Sequence, residues 1–166
     1  MAVLIAIPIL GGLALIQSAI VSRMPLIQGT ADLVLVTILA WALQERIKGY
    51  WQWSIIGGGI ITFMSALPVG VYIGAYLGAT FLARLISRRV WKVPFLGMLA
   101  ATFLGTLLLH VAAWLARWLS GVLIPIDQAL NLVAIPGILL NLVLAVPIYY
   151  VVKDLAAWLY PEEIEI

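Results

Sequence analysis

The chain has 166 residues, 65% of them hydrophobic and only 10% charged, with a mean hydropathy of +1.18. Soluble domains carry about 25% charged residues, so the composition excludes an ordinary soluble domain and points to an integral membrane protein. Nine basic against seven acidic residues leave a net charge of +2, too little and too scattered for a nucleic-acid surface, and the lack of cysteine excludes disulfides, thiolate metal sites and thiol catalysis.

Six apolar spans are predicted. The first, residues 2–22, is uncharged and long enough, at 1.5 Å per residue, to cross a hydrocarbon core of about 30 Å. Pro8 and Gly11-Gly12 predict a bend, which a membrane helix tolerates because its neighbours re-satisfy the freed backbone groups. No basic segment precedes this span, so no cleavable signal is expected. Arg23 and Pro25 lie in the connection. Thr30 is the expected cap of the second span, 30–44, with Asp32 in its first turn, where the helix dipole favours a carboxylate. Glu45, Arg46 and Lys48 form the next loop, and Trp51 and Trp53 mark re-entry at the interface.

Residues 49–83 carry no charge; as one helix they would reach about 52 Å, so the chain must turn within them. Ser65 and Pro68 predict that turn, giving a third span over 53–66 and a fourth over 68–86. Gly57-Gly58-Gly59 thins the third. Gly70, Gly74 and Gly78, four residues apart, share one face of the fourth, suited to close contact with another helix of the bundle or with a partner. Arg84, Arg88, Arg89 and Lys92 follow as the densest basic cluster. The fifth span, 94–118, contains His110 and ends at Trp114, Arg117 and Trp118. After a loop with Pro125 the sixth, 128–152, has kink points at Pro136-Gly137 and Pro147. Trp158 and Tyr160 are expected at the interface, before the acidic Pro161-Glu162-Glu163.

Six crossings put both termini on one side. With that side cytoplasmic, Arg46, Lys48, Arg84, Arg88, Arg89, Lys92 and Lys153 lie inside and Arg23 and Arg117 outside. Seven against two favours both termini inside by the positive-inside rule. Setting this orientation is a sufficient role for the basic loop; docking anionic lipid or an acidic cytoplasmic partner is the sharper one.

Polar groups within a bilayer cost about 2.5–3.5 kcal/mol at a helix centre when ionisable, so each needs a reason. In this topology Gln17, Asp32, His110, Arg117 and Asn131 fall in the outer half and Asn141 lies deeper. Either the outer groups converge on an outward-facing pocket or partner site, or they satisfy one another and the headgroups. For Asp32 the expected role is helix-end stabilisation, for His110 a neutral packing role, for Asn141 an interhelical hydrogen bond. Paired acids at mid-membrane, metal-ligand spacing, a serine elbow and a phosphate loop are all missing from the sequence. Neither an enzyme nor a cofactor or metal is expected.

Several stretches together resemble the MreD family, a membrane component of the bacterial rod-shape (cell-elongation) machinery. They are Ala31-Asp32-Leu33-Val34-Leu35-Val36, Leu67-Pro68-Val69-Gly70, and the last span from Pro136 to Asn141 with Leu144-Ala145, Pro147 and Tyr149. The chain departs from the family at Ala31, where a proline is common, and at Thr62-Phe63-Met64, where an acid often stands. The resemblance implies an all-α, six-span protein of the bacterial cytoplasmic membrane, similar in fold to the substrate-binding S components of energy-coupling-factor transporters. It further implies a non-enzymatic scaffold binding MreC and, indirectly, MreB, RodA and a class B penicillin-binding transpeptidase of peptidoglycan synthesis. Such an S component for a vitamin is the alternative reading.

Overall fold

The computed structural model describes residues 2–21, 29–88 and 93–161, of which 82% are helical and none lies in a strand. Six helices are formed among them: α1 (Ala2–Val21), α2 (Leu33–Ala42), α3 (Tyr50–Met64), α4 (Val71–Ser87), α5 (Pro94–Leu119) and α6 (Ile126–Leu159). α5 and α6 are long and apolar enough to cross a membrane. α1, α2 and α4 are apolar but shorter.

α2 is the centre of the molecule. Its ten residues rise only about 15 Å, half the thickness of a bilayer core, so the predicted 30–44 span is helical over its middle alone. It touches each of the other five helices, and Val34 through Ala42 are all buried. The sequence LVLVTILAWA explains this, since a helix that is apolar all round has no solvent face and must be enclosed.

Around α2 the helices alternate in direction. The Arg84 guanidinium near the end of α4 reaches the carbonyls that follow α2, and an Arg46 Nη1–H donates to the Tyr160 carbonyl just past α6. The ends of α2, α4 and α6 therefore share one pole, the basic pole. The end of α1 and the start of α2 share the other, where the middle of α6 passes them at Asn141.

Glycines make the closest approaches. A Cβ on Gly58 would stand 2.7 Å from the Ile73 Cα, and one on Gly57 2.5 Å from Ile38 Cδ1, so α3 lies against both α4 and α2 only because these side chains are missing. Ser54 and Thr80 join α3 to α4 by a 2.6 Å hydroxyl pair. Gly105 of α5 fits against Leu39 and Ala79 in the same way.

The predicted glycine ladder is not that seam. Gly70 lies in the turn before α4, at a φ of 98° that only glycine adopts without strain. Gly74 is exposed, with no heavy atom within 4 Å of where its Cβ would be, while Gly78 faces Leu108. The buried seam of α4 is Ala75, Ala79 and Ala83, one residue on from the glycines, so the same four-residue spacing turns a different stripe inward.

α6 is a single 34-residue helix with a π-helical turn at Ala129–Ala134. The Ile135 N–H donates to the Leu130 carbonyl five residues back, just before Pro136, which has no N–H to continue the α ladder. Large apolar side chains cover the outer faces: Phe63 is 93% exposed, Val143 73% and Val151 68%. Apolar surface on this scale marks contact with lipid or with another protein.

Candidate functional site

A helix enclosed on every side leaves its terminal N–H and C=O groups without water, and each needs a partner supplied by the protein. Both ends of α2 are closed by side chains from other helices. At its start Asp32 is the cap, not Thr30: the Asp32 Oδ1 accepts from the Leu35 N–H at 2.9 Å, the Ncap-to-N3 bond. The Leu33 N–H donates to Gln17 Oε1 of α1 at 3.0 Å, and the Asp32 N–H to Asn141 Oδ1 of α6 at 2.7 Å. The Asn141 Nδ2 in turn donates to Thr106 Oγ1 of α5 at 3.0 Å, so both ends of that buried amide are used. From α4, Tyr76 donates its hydroxyl to Asp32 Oδ2 at 2.7 Å. Five helices thus meet in one buried polar knot.

At the other end, Arg84 does for carbonyls what Asp32 does for N–H groups. Its Nη1 donates to the Ala42 and Gln44 carbonyls at 3.2 and 3.1 Å, its Nη2 to the Glu45 carbonyl at 3.3 Å. The guanidinium also sits 5.3 Å over the Tyr50 ring. The planar fork meets several acceptors in a fixed, preorganised geometry, which the compact ammonium of a lysine lacks. At the same end of α2, Trp41 stacks on Trp53 with centroids 4.1 Å apart, and neither indole N–H has a partner.

The expected outer cluster therefore divides. Asp32 is buried and belongs with Gln17, Tyr76 and Asn141, not with His110 and Arg117. Asn131 lies exposed on the π-helical turn and joins neither group. His110 and Arg117 do come together: with Trp114, Ile124, Gln128 and Leu132 they line a groove of about 250 Å³ between α5 and the start of α6. The Trp114 Nε1–H donates to the Ile124 carbonyl at 3.1 Å, fixing that indole as the groove's wall. The buried His110 Nε2 has no hydrogen-bond partner and occupies the space left by Gly137, where a Cβ would come within 2.9 Å of it. Arg88 is exposed just after α4; Arg23, Arg89 and Lys92 lie outside the described residues. Among the described residues, no three of His, Cys, Asp and Glu gather closely enough to hold a metal.

Tyr76, Thr106 and Gln128 are the participants that the sequence reading did not single out. A tyrosine in the middle of an apolar helix is itself a signal, because a buried phenol usually finds an acceptor. Compared with protein-family models, curated proteins and solved structures, the chain matches none.

Proposed function

We propose that this chain is a multi-pass scaffold of the bacterial cytoplasmic membrane, similar to MreD, that binds an MreC-like single-span partner and through it the peptidoglycan-synthesis enzymes of cell elongation. In this reading the six helices cross or partly cross the bilayer with the basic pole in the cytoplasm. The observation that carries it is the bond between Asp32 and Asn141. These residues lie in two of the three stretches on which the family resemblance rests, and over a separation of 109 residues they meet at 2.7 Å in the buried knot. The resemblance then rests on one interlocked feature and not on two unrelated apolar runs. The exposed outer faces supply what a scaffold needs, since almost all of its contacts would be made within the membrane.

The groove beside His110 favours a second reading, a vitamin-binding S component. Its volume weighs against that, because pockets for drug-sized ligands run to roughly 300–1,000 Å³ and this one is about 250 Å³.

The test is affinity capture of the tagged full chain from native membranes in mild detergent, followed by mass spectrometry. Recovery of a bitopic protein with an extracytoplasmic domain is expected; a bound vitamin in place of any partner would overturn the scaffold reading. Gly74→Leu, which enters open space, should leave the bundle folded, and loss of the partner in that variant would place the contact on the outer face of α4.

A further inference from the structure

We infer that the groove between α5 and the start of α6 binds the anionic headgroup of a membrane phospholipid, with Arg117 and Gln128 as its polar contacts and the lipid tails lying along the apolar surface of α6. The inference rests on membrane insertion but not on the partner proposed above.

Three observations carry it. The first is charge: Arg117 is exposed at the groove, and no carboxylate pairs with it among the described residues. A guanidinium matches the fork geometry of a phosphate, and Gln128 adds amide donors beside it. The second is size. At about 250 Å³ the groove falls below the roughly 300–1,000 Å³ that encloses a drug-sized molecule; it accepts a headgroup and leaves the rest of the ligand outside. The third is what lies at the opening. Leu132 and Val133 line the groove and are also exposed on the outer face of α6, and Leu139 and Val143 extend that face along the helix. A water-soluble anion gains nothing from such a surface, whereas two acyl chains bury it. Basic pockets between membrane helices bind anionic headgroups on the cytoplasmic side, and the same charge pairing is available here at the opposite pole.

Trp114 forms the wall and so provides the readout. The full chain is reconstituted in phosphatidylcholine nanodiscs containing a minor fraction of brominated phosphatidylglycerol or, in parallel, brominated phosphatidylcholine. The Trp114 contribution is taken as the difference from Trp114→Phe, because bromine quenches an indole it touches. Expected is stronger quenching by the anionic lipid, with the preference falling roughly tenfold in Arg117→Gln, the loss of one charge-assisted hydrogen bond, and partly retained in Arg117→Lys. Gln128→Leu, which keeps the cation, should weaken the preference less and guards against misfolding of the arginine variant. Equal quenching by the two lipids, or a preference unchanged in both Arg117→Gln and Gln128→Leu, would overturn the site. Displacement by soluble glycerol 3-phosphate would also overturn it, since the occupant would then be a free phosphate ester. None of these results bears on partner capture, so the two proposals fail separately.

Discussion

Asn141 shows how one side chain can hold three helices. It accepts from the backbone at the start of α2 and donates to Thr106 of α5 while standing on α6. Asn141→Leu keeps the approximate volume and leaves the Asp32 N–H and the Thr106 hydroxyl with one partner fewer. A buried donor left unpaired costs about 1–3 kcal/mol, well above the roughly 0.6 kcal/mol average of an interhelical hydrogen bond in membranes, because the Asp32 N–H is a helix-end group with no alternative acceptor in α2. The expected outcome is a thermal midpoint in detergent lowered by several degrees, and an unchanged midpoint would show that the bond contributes nothing. The sequence made the interhelical role of Asn141 legible, since an amide on an apolar helix has few other uses. It did not reveal the partner, because a contact across 109 positions leaves no trace in local spacing.

At the scale of an element, α2 explains more of the polar residues than any ligand does. Its capping by Asp32 was half legible: a carboxylate at the start of an apolar run stabilises that end, but whether Thr30 or Asp32 is the cap depends on where the helix begins. Arg84 was legible as a charge that orients the chain or docks an anionic lipid or acidic partner, not as a cap. Its position over the Tyr50 ring and among three carbonyls comes from the α4–α2 packing, which the periodicity of α4 alone could not specify. These two roles separate in Arg84→Lys. The charge remains, so the orientation by the positive-inside rule should be unchanged, whereas the fork to the Ala42, Gln44 and Glu45 carbonyls is lost. A lowered melting temperature with unaltered sidedness in cysteine-labelling is the expected result; full stability would show that the capping is dispensable. Of the glycine ladder, Gly78 alone packs inside the bundle, against Leu108, while Gly74 faces outward. Glycine, alanine and serine seams have the same spacing, and which one turns inward is decided by the neighbours, here by Gly105 against Ala79.

For the molecule as a whole, hydropathy located all six helices, because apolar length is a property of the sequence alone. It misjudged their lengths at both extremes. α2 is shorter than its apolar run because residues 43–49 turn under Arg84, and α6 continues to Leu159 past Lys153 and Asp154 because helical hydrogen bonding does not stop where hydropathy falls. The alternation of direction puts Arg46, Lys48 and Arg84 at one pole and Arg117 at the other. In the orientation proposed here, single cysteines in the otherwise cysteine-free chain should react with an impermeant maleimide from outside intact cells at position 121 and be protected at position 48. The reverse pattern would overturn the orientation, and with it the place of the lipid groove on the outer side.

The enclosure of α2 also bears on how the protein is made. Its capping carboxylate is held by Tyr76, and the backbone groups at its two ends are completed by Asn141 and Arg84, all of which leave the ribosome later than α2 itself. Under the proposed membrane reading, each open backbone group in lipid costs several kcal/mol, so this segment would not be a stable independent insertion unit. On that reading the bundle would be completed only when its last helix arrives, and a chain stopped short of residue 141 would hold a second helix whose first N–H groups lack the Asn141 acceptor.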